Sequence, residues 1–150
     1  MGNAKIIQPS FTLPNEINAY YHSLLNLEAL NTSGTKIAQQ GPILDFEGLV
    51  KEIKSGPDSF FVCQANGNSM SCAGIVDSAT VIVEKKQEPI MNEIIVCKID
   101  DELFIRRYTE ADKHVVLVAD NPIYKDITIR MRMDFQILGR VVLVIQKLNN

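Results

Sequence analysis

Among the side chains able to do chemistry, Ser69 stands out by its setting. GNSMSCAGI, residues 67–75, is a run of small residues that predicts a loop, and it follows directly on the apolar run FFVCQA. A serine so placed is a candidate nucleophile, and such a serine needs a base to take its proton. Histidine is the usual partner. His22 falls inside a helical pattern and His114 at the start of a strand, and neither neighbours a residue that would orient an imidazole toward a serine. Single histidines are most often surface or packing residues, so a Ser-His-Asp triad is not expected. The other solution is a Ser-Lys dyad, in which desolvation lowers the lysine pKa until the neutral amine acts as base. That lysine belongs on a strand facing the serine. Cys63, Cys72 and Cys97 show no CxxC spacing, so neither a disulfide framework nor a zinc site is indicated, and no cofactor or metal is expected.

The elements that must position Ser69 change character along the chain. Residues 1–13 read as an extended arm, since Pro9 and Pro14 interrupt any period. Pro14 suits a helix start, and Ile17, Tyr20, Leu24, Leu27 and Leu30 then recur at helical spacing, predicting a helix over about 15–30. NTSGTKIAQQGPIL, residues 31–44, reads as an exposed linker. A second helix is predicted from about Asp45, its cap, to Lys54, with Phe46, Leu49, Val50 and Ile53 on one side. SGPD stops it. Beyond Pro57 the runs SFFVCQA, ATVIVEK, NEIIVCKI, ELFIRRY, HVVLVAD, DITIRM and FQILGRVVLVIQKL are rich in Val, Ile and Phe and separated by polar turns. Asp100-Asp101 is a natural hairpin turn between two of them. The expected fold is therefore mainly β, a barrel or sandwich of short strands over residues 45–150, preceded by an arm and linker over residues 1–44. The last run is apolar on both faces, so a homodimer is expected to cover one of them.

Composition narrows the function classes. A chain of 150 residues, 46% hydrophobic, 22% charged and of formal net charge -3, fits one soluble core. With 15 Lys and Arg against 18 Asp and Glu, it lacks the basic excess that neutralises phosphates, and direct DNA binding is not expected. No window approaches the ~18 apolar residues of a membrane span, the first residues lack the apolar core of a secretory signal, and Ile6 stands where a myristoylation signal needs Ser or Thr. The chain reads as cytoplasmic, with no membrane partner.

The segments NGNSM, GIVDSATVIV, IIVCKIDDELFIRRY, VLVADNPIYKDITI and ILGRVVLVI, in this order over residues 59–148, resemble the C-terminal domain of the LexA and UmuD family, self-cleaving Ser-Lys proteins of the bacterial DNA-damage response. By this resemblance Ser69 is the nucleophile of a G-x-S-M motif, with Gly67 and Met70 beside it. Gly74 and Asp77 match a G-I-x-D-G segment in which Ser78 replaces the second glycine. Asn121 and Tyr124 lie in the segment after the penultimate strand, and Gly139 matches the last-strand glycine. At the base position the sequence departs: where the family has lysine, DDELFIR places Arg106, 37 residues after the serine. A guanidinium stays protonated at any pH below about 12 and has no lone pair to accept a proton. Lys98 pairs opposite Leu103 across the predicted turn, which turns it from the cleft, and Lys85 and Lys86 match no base position. Arg106 could instead hydrogen-bond Ser69 and lock the cleft closed.

The family cuts its own arm at an Ala-Gly or Cys-Gly bond; the nearest equivalent here is Ser33-Gly34, with Gln40-Gly41 as the other X-Gly bond of the linker. A missing base and an atypical bond imply weakened or lost self-cleavage. The region before residue 45 is too short in helices for a helix-turn-helix domain, which directs the resemblance to the UmuD branch. That branch implies a homodimeric accessory subunit for error-prone translesion synthesis, with the RecA filament and a translesion DNA polymerase as partners. Two alternatives stay open: a non-enzymatic dimerisation and docking module, and a headless prophage-repressor-like protein acting through mixed dimers.

Overall fold

The computed structural model describes residues 2–8 and 46–148. The helix expected over 15–30, the linker, Ser33 and Gly34, and the Asp45 cap lie outside the described residues. The first described strand, β1 (Ala4–Gln8), falls in the stretch read as an extended arm. It is extended, and it is also a member of the sheet. A helix, α1 (Phe46–Ser55), follows, then β2 (Phe60–Ala65), β3 (Thr80–Lys85), β4 (Ile94–Ile99), β5 (Glu102–Ala111), β6 (His114–Val118), β7 (Ile127–Thr128) and β8 (Phe135–Ile145). The protein is mainly β, as its Val- and Ile-rich runs predict.

All eight strands form one curled antiparallel sheet in the order β1-β2-β3-β8-β4-β5-β6-β7. Strand alternation divides its side chains between clusters. On β2, Phe61, Cys63 and Ala65 enter a cluster with Val81, Val83, Val96 and Ile105, while Phe60 and Val62 turn to the opposite face with Ile82. There Ile53 of α1 covers them, with Leu49 packed alongside, as the helical spacing of those two residues predicts. A third cluster gathers Ile95, Cys97, Ile99, Phe104, Tyr108 and Leu117.

The last strand accounts for its own apolar run. β8 lies between β3 and β4, and its residues serve all three clusters: Leu138, Val141 and Val144 in the first, Phe135 and Ile137 in the third, Val142, Leu143 and Ile145 beneath α1. Its register slips against both neighbours, between the Val96 and Cys97 pairings on β4 and the Ile82 and Val83 pairings on β3. Such bulges bend a strand and raise local twist, which curls the sheet. At Gly139 the Glu84 carbonyl approaches so closely that a Cβ would overlap it.

Two hairpins are closed by residues of positive φ, Asp100 (47°) with Asp101 (68°) and Asp112 (51°) with Lys113 (64°). The first is the predicted turn. It sets the register that places Lys98 opposite Leu103 and Ile95 opposite Arg106. DITIRM forms strand only at Ile127–Thr128, because the chain bonds β6 once more through Ile129 and then turns at Arg130–Met133.

Candidate functional site

Ser69 follows β2 and precedes a 3-10 turn, Ser71–Ala73. The loop expected from its small residues is held tightly. Gly67 (φ 98°) and Gly74 (φ 88°) supply the left-handed backbone, and Met70 bridges to Ile75. Gly67 N–H donates to Asp77 Oδ1 at 2.7 Å, and Asp77 N–H donates to Asn68 Oδ1 at 3.0 Å. Asn121 Nδ2 donates to Asn68 O at 2.8 Å and to Ser71 Oγ at 3.1 Å, and Cys72 N–H reaches Asp120 O at 2.9 Å. Gly67, Asp77 and Asn121, singled out from the sequence, are thus clamps on the serine loop. Ser78, where the family's glycine is replaced, has a φ of 67°, a conformation that charges a side chain steric cost. Met70 is fully buried, and Ser69 itself is only 2% exposed.

Arg106 and Ser69 meet. Arg106 Nη1 donates to Ser69 Oγ at 2.6 Å and to Ile105 O at 2.9 Å. The guanidinium lies 5.6 Å from the centroid of the Phe104 ring, within cation-π range. Burial pushes the Arg106 pKa below the ordinary arginine value, with Cys97, Asp126 and Tyr124 acting in the opposite direction. Arg106 is 6% exposed, and its Nε is buried without a hydrogen-bond partner among the described residues. The lysines weighed as replacements point elsewhere: Lys98 Nζ lies 3.8 Å from Asp101, Lys85 Nζ donates to Asp58 O, and Lys86 pairs with Glu93.

A third residue, Asn3, completes the contact and was missed by sequence reasoning. Its Oδ1 accepts from Ile105 N–H at 2.5 Å, while its Nδ2 donates to Ser69 Oγ at 2.9 Å and to Ile105 O at 3.1 Å. The orientation of the amide is dictated, because a backbone N–H only donates and therefore faces Oδ1. Among the described residues, both partners of Ser69 Oγ are donors, Arg106 Nη1 and Asn3 Nδ2. Neither accepts a proton. Among the described residues no group of three or more His, Cys, Asp or Glu is placed to hold a metal, and no helix is long and apolar enough to cross a membrane.

The site is thus a buried serine facing a basic residue on a strand of a curled antiparallel sheet. The chain belongs to the Peptidase S24-like family, whose profile matches residues 29–142. It is similar to the LexA repressor of Providencia rettgeri, 30% identical over 117 residues that make up 74% of this chain and 57% of the relative. The LexA repressor of Parafrankia sp. (strain EAN1pec) is 36% identical over 120 residues, 75% of this chain and 46% of the relative. That of Ralstonia pickettii (strain 12J) is 28% identical over 113 residues, 71% and 52% of the two chains. The chain spans about half the length of these curated relatives.

Proposed function

We propose that this protein is a UmuD-like member of its family, serving the DNA-damage response as a homodimeric accessory subunit for translesion synthesis, with self-cleavage weakened or lost because Arg106 occupies the base position. The observation that carries this reading is the pair of donors on Ser69 Oγ, Arg106 Nη1 at 2.6 Å and Asn3 Nδ2 at 2.9 Å. A hydroxyl attacks a carbonyl only as its proton leaves, and neither neighbour has a free lone pair to receive it. The RecA filament and a translesion polymerase are the partners this role implies. Ser33-Gly34 is the bond the cleft would take.

The experiment restores a base. In Arg106→Lys, the burial that lowers the arginine pKa would lower that of lysine too, since desolvation disfavours either cation. The neutral amine is the active species, so self-cleavage should rise with pH and level off once the lysine is deprotonated. Intact mass after incubation at alkaline pH, with and without activated RecA filament, is expected to show two fragments meeting at Ser33-Gly34 for Arg106→Lys. It should show one uncut chain for wild type, and one for Arg106→Lys combined with Ser69→Ala. Cutting by the wild type would refute the disabling role of Arg106. An uncut Arg106→Lys chain, even with Ser33→Ala added, would favour the docking module.

A further inference from the structure

The half of β5 nearest its hairpin has an open side. β6 pairs only with Arg107–Ala111, so among the described residues no strand is paired with Leu103 and Ile105 on the side away from β4, although β1 runs near them. An open strand edge of this kind is where an extended peptide adds itself by main-chain hydrogen bonds. The edge leads directly to Ser69 through Arg106, whose Nη1 bonds both Ser69 Oγ and Ile105 O. It is occupied. Asn3 offers Ile105 one acceptor and one donor, as the backbone of an added strand would, and places the same Nδ2 on Ser69 Oγ. Gly2 lies so close to the Leu103 backbone that a Cβ would overlap the Leu103 carbonyl. Beyond this contact the two strands part, leaving a groove of about 460 Å³ between Ala4 and Ile6 of β1 and Asp101–Leu103 of the hairpin.

We propose that the segment Gly2–Ala4 is an intrasteric plug: Asn3 takes the place of a peptide backbone on the open edge of β5 and covers Ser69, so an incoming cleavage segment binds only when this segment lifts away. The proposal rests on the cleft being a peptide site, as the function above requires. Lifting the segment also breaks the Asn66 N–H bond to Asn3 O at 2.8 Å and the pairing of Ala4 with Ala65, at one end of an outer strand of the sheet.

The test reads binding and therefore needs no working base. A fluorescent peptide EALNTSGTKIAQQ, residues 28–40, is titrated by anisotropy into the full chain as wild type, as Asn3→Ala and as Gly2→Val, and hydrogen exchange of the Ile105 amide is followed in each. The two variants act on different atoms, so a folding defect in one leaves the other informative. A plug predicts that both exchange faster at Ile105 and bind the peptide at least tenfold more tightly than wild type. Equal affinity in all three despite faster exchange would make Asn3 a structural clasp and overturn the plug. Unchanged exchange would overturn it as well, and so would an opened edge that takes no peptide. Failure of the peptidase reading is separate: tighter peptide binding by Asn3→Ala while Arg106→Lys with Asn3→Ala stays uncut keeps the plug and removes the enzyme.

Discussion

Arg106 brings a charge into a site that offers it two neutral oxygens and, among the described residues, no carboxylate within bonding distance. A buried cation with so little compensation is a cost the fold retains. The cysteines show the opposite adaptation. Burial pushes the Cys63 thiol up to about 12, and the Cys97 thiol to about 12 against the opposing field of Arg106. Both stay protonated across the range where thiolates normally react, whereas Cys72 is exposed on the serine loop. Native protein treated with an alkylating reagent at pH 9 should therefore gain one adduct, mapped to Cys72 by peptide mass, and all three on denaturation. Labelling of Cys97 in the native state would mean that the Arg106 cleft opens. The meeting of Ser69 and Arg106 was legible only through the family resemblance, which puts Arg106 at the base position; residue types and spacing alone left the partner of the serine open. Asn3 was not, since nothing local in GNAKI ties it to a strand 102 residues later.

At the level of elements, α1 and β2–β6 follow from period and turn chemistry, while the short β7 does not: its composition is strand-like, yet the turn at Arg130–Met133 ends the pairing. What α1 contributes is cover. Ile53 is 1% exposed and seats the helix on Phe60, Val62 and Ile82. Truncating it leaves a cavity that the sheet beneath has little freedom to fill, so Ile53→Ala should cost about 2–5 kcal/mol. Urea unfolding should show this as a lowered midpoint with an unchanged slope. A loss below about 1 kcal/mol would mean that the helix rests on the sheet without being anchored by it.

For the whole molecule, the apolar character of β8 was read as a face awaiting a second subunit, and α1 with the three clusters already takes up part of it. Most of β8 nonetheless remains half-buried, and Ile90, Met91, Ile123 and Met131 are exposed elsewhere. We expect a dimer by light scattering at tens of micromolar; a monomer at that concentration would leave the remaining apolar surface to a different partner.

The topology also changes what a cut in the linker would accomplish. β1 comes before Ser33-Gly34 in the chain, yet it is paired along β2, and Asn3 is bonded to Ile105. Cutting Ser33-Gly34 would nick the protein and leave the upstream piece paired along β2 as a bound ligand, visible as two bands under denaturing conditions and one particle under native ones. The piece would then hold its place by affinity alone, without the effective concentration that a covalent linker provides. Dilution, which cannot separate β1 from the intact chain, would release it.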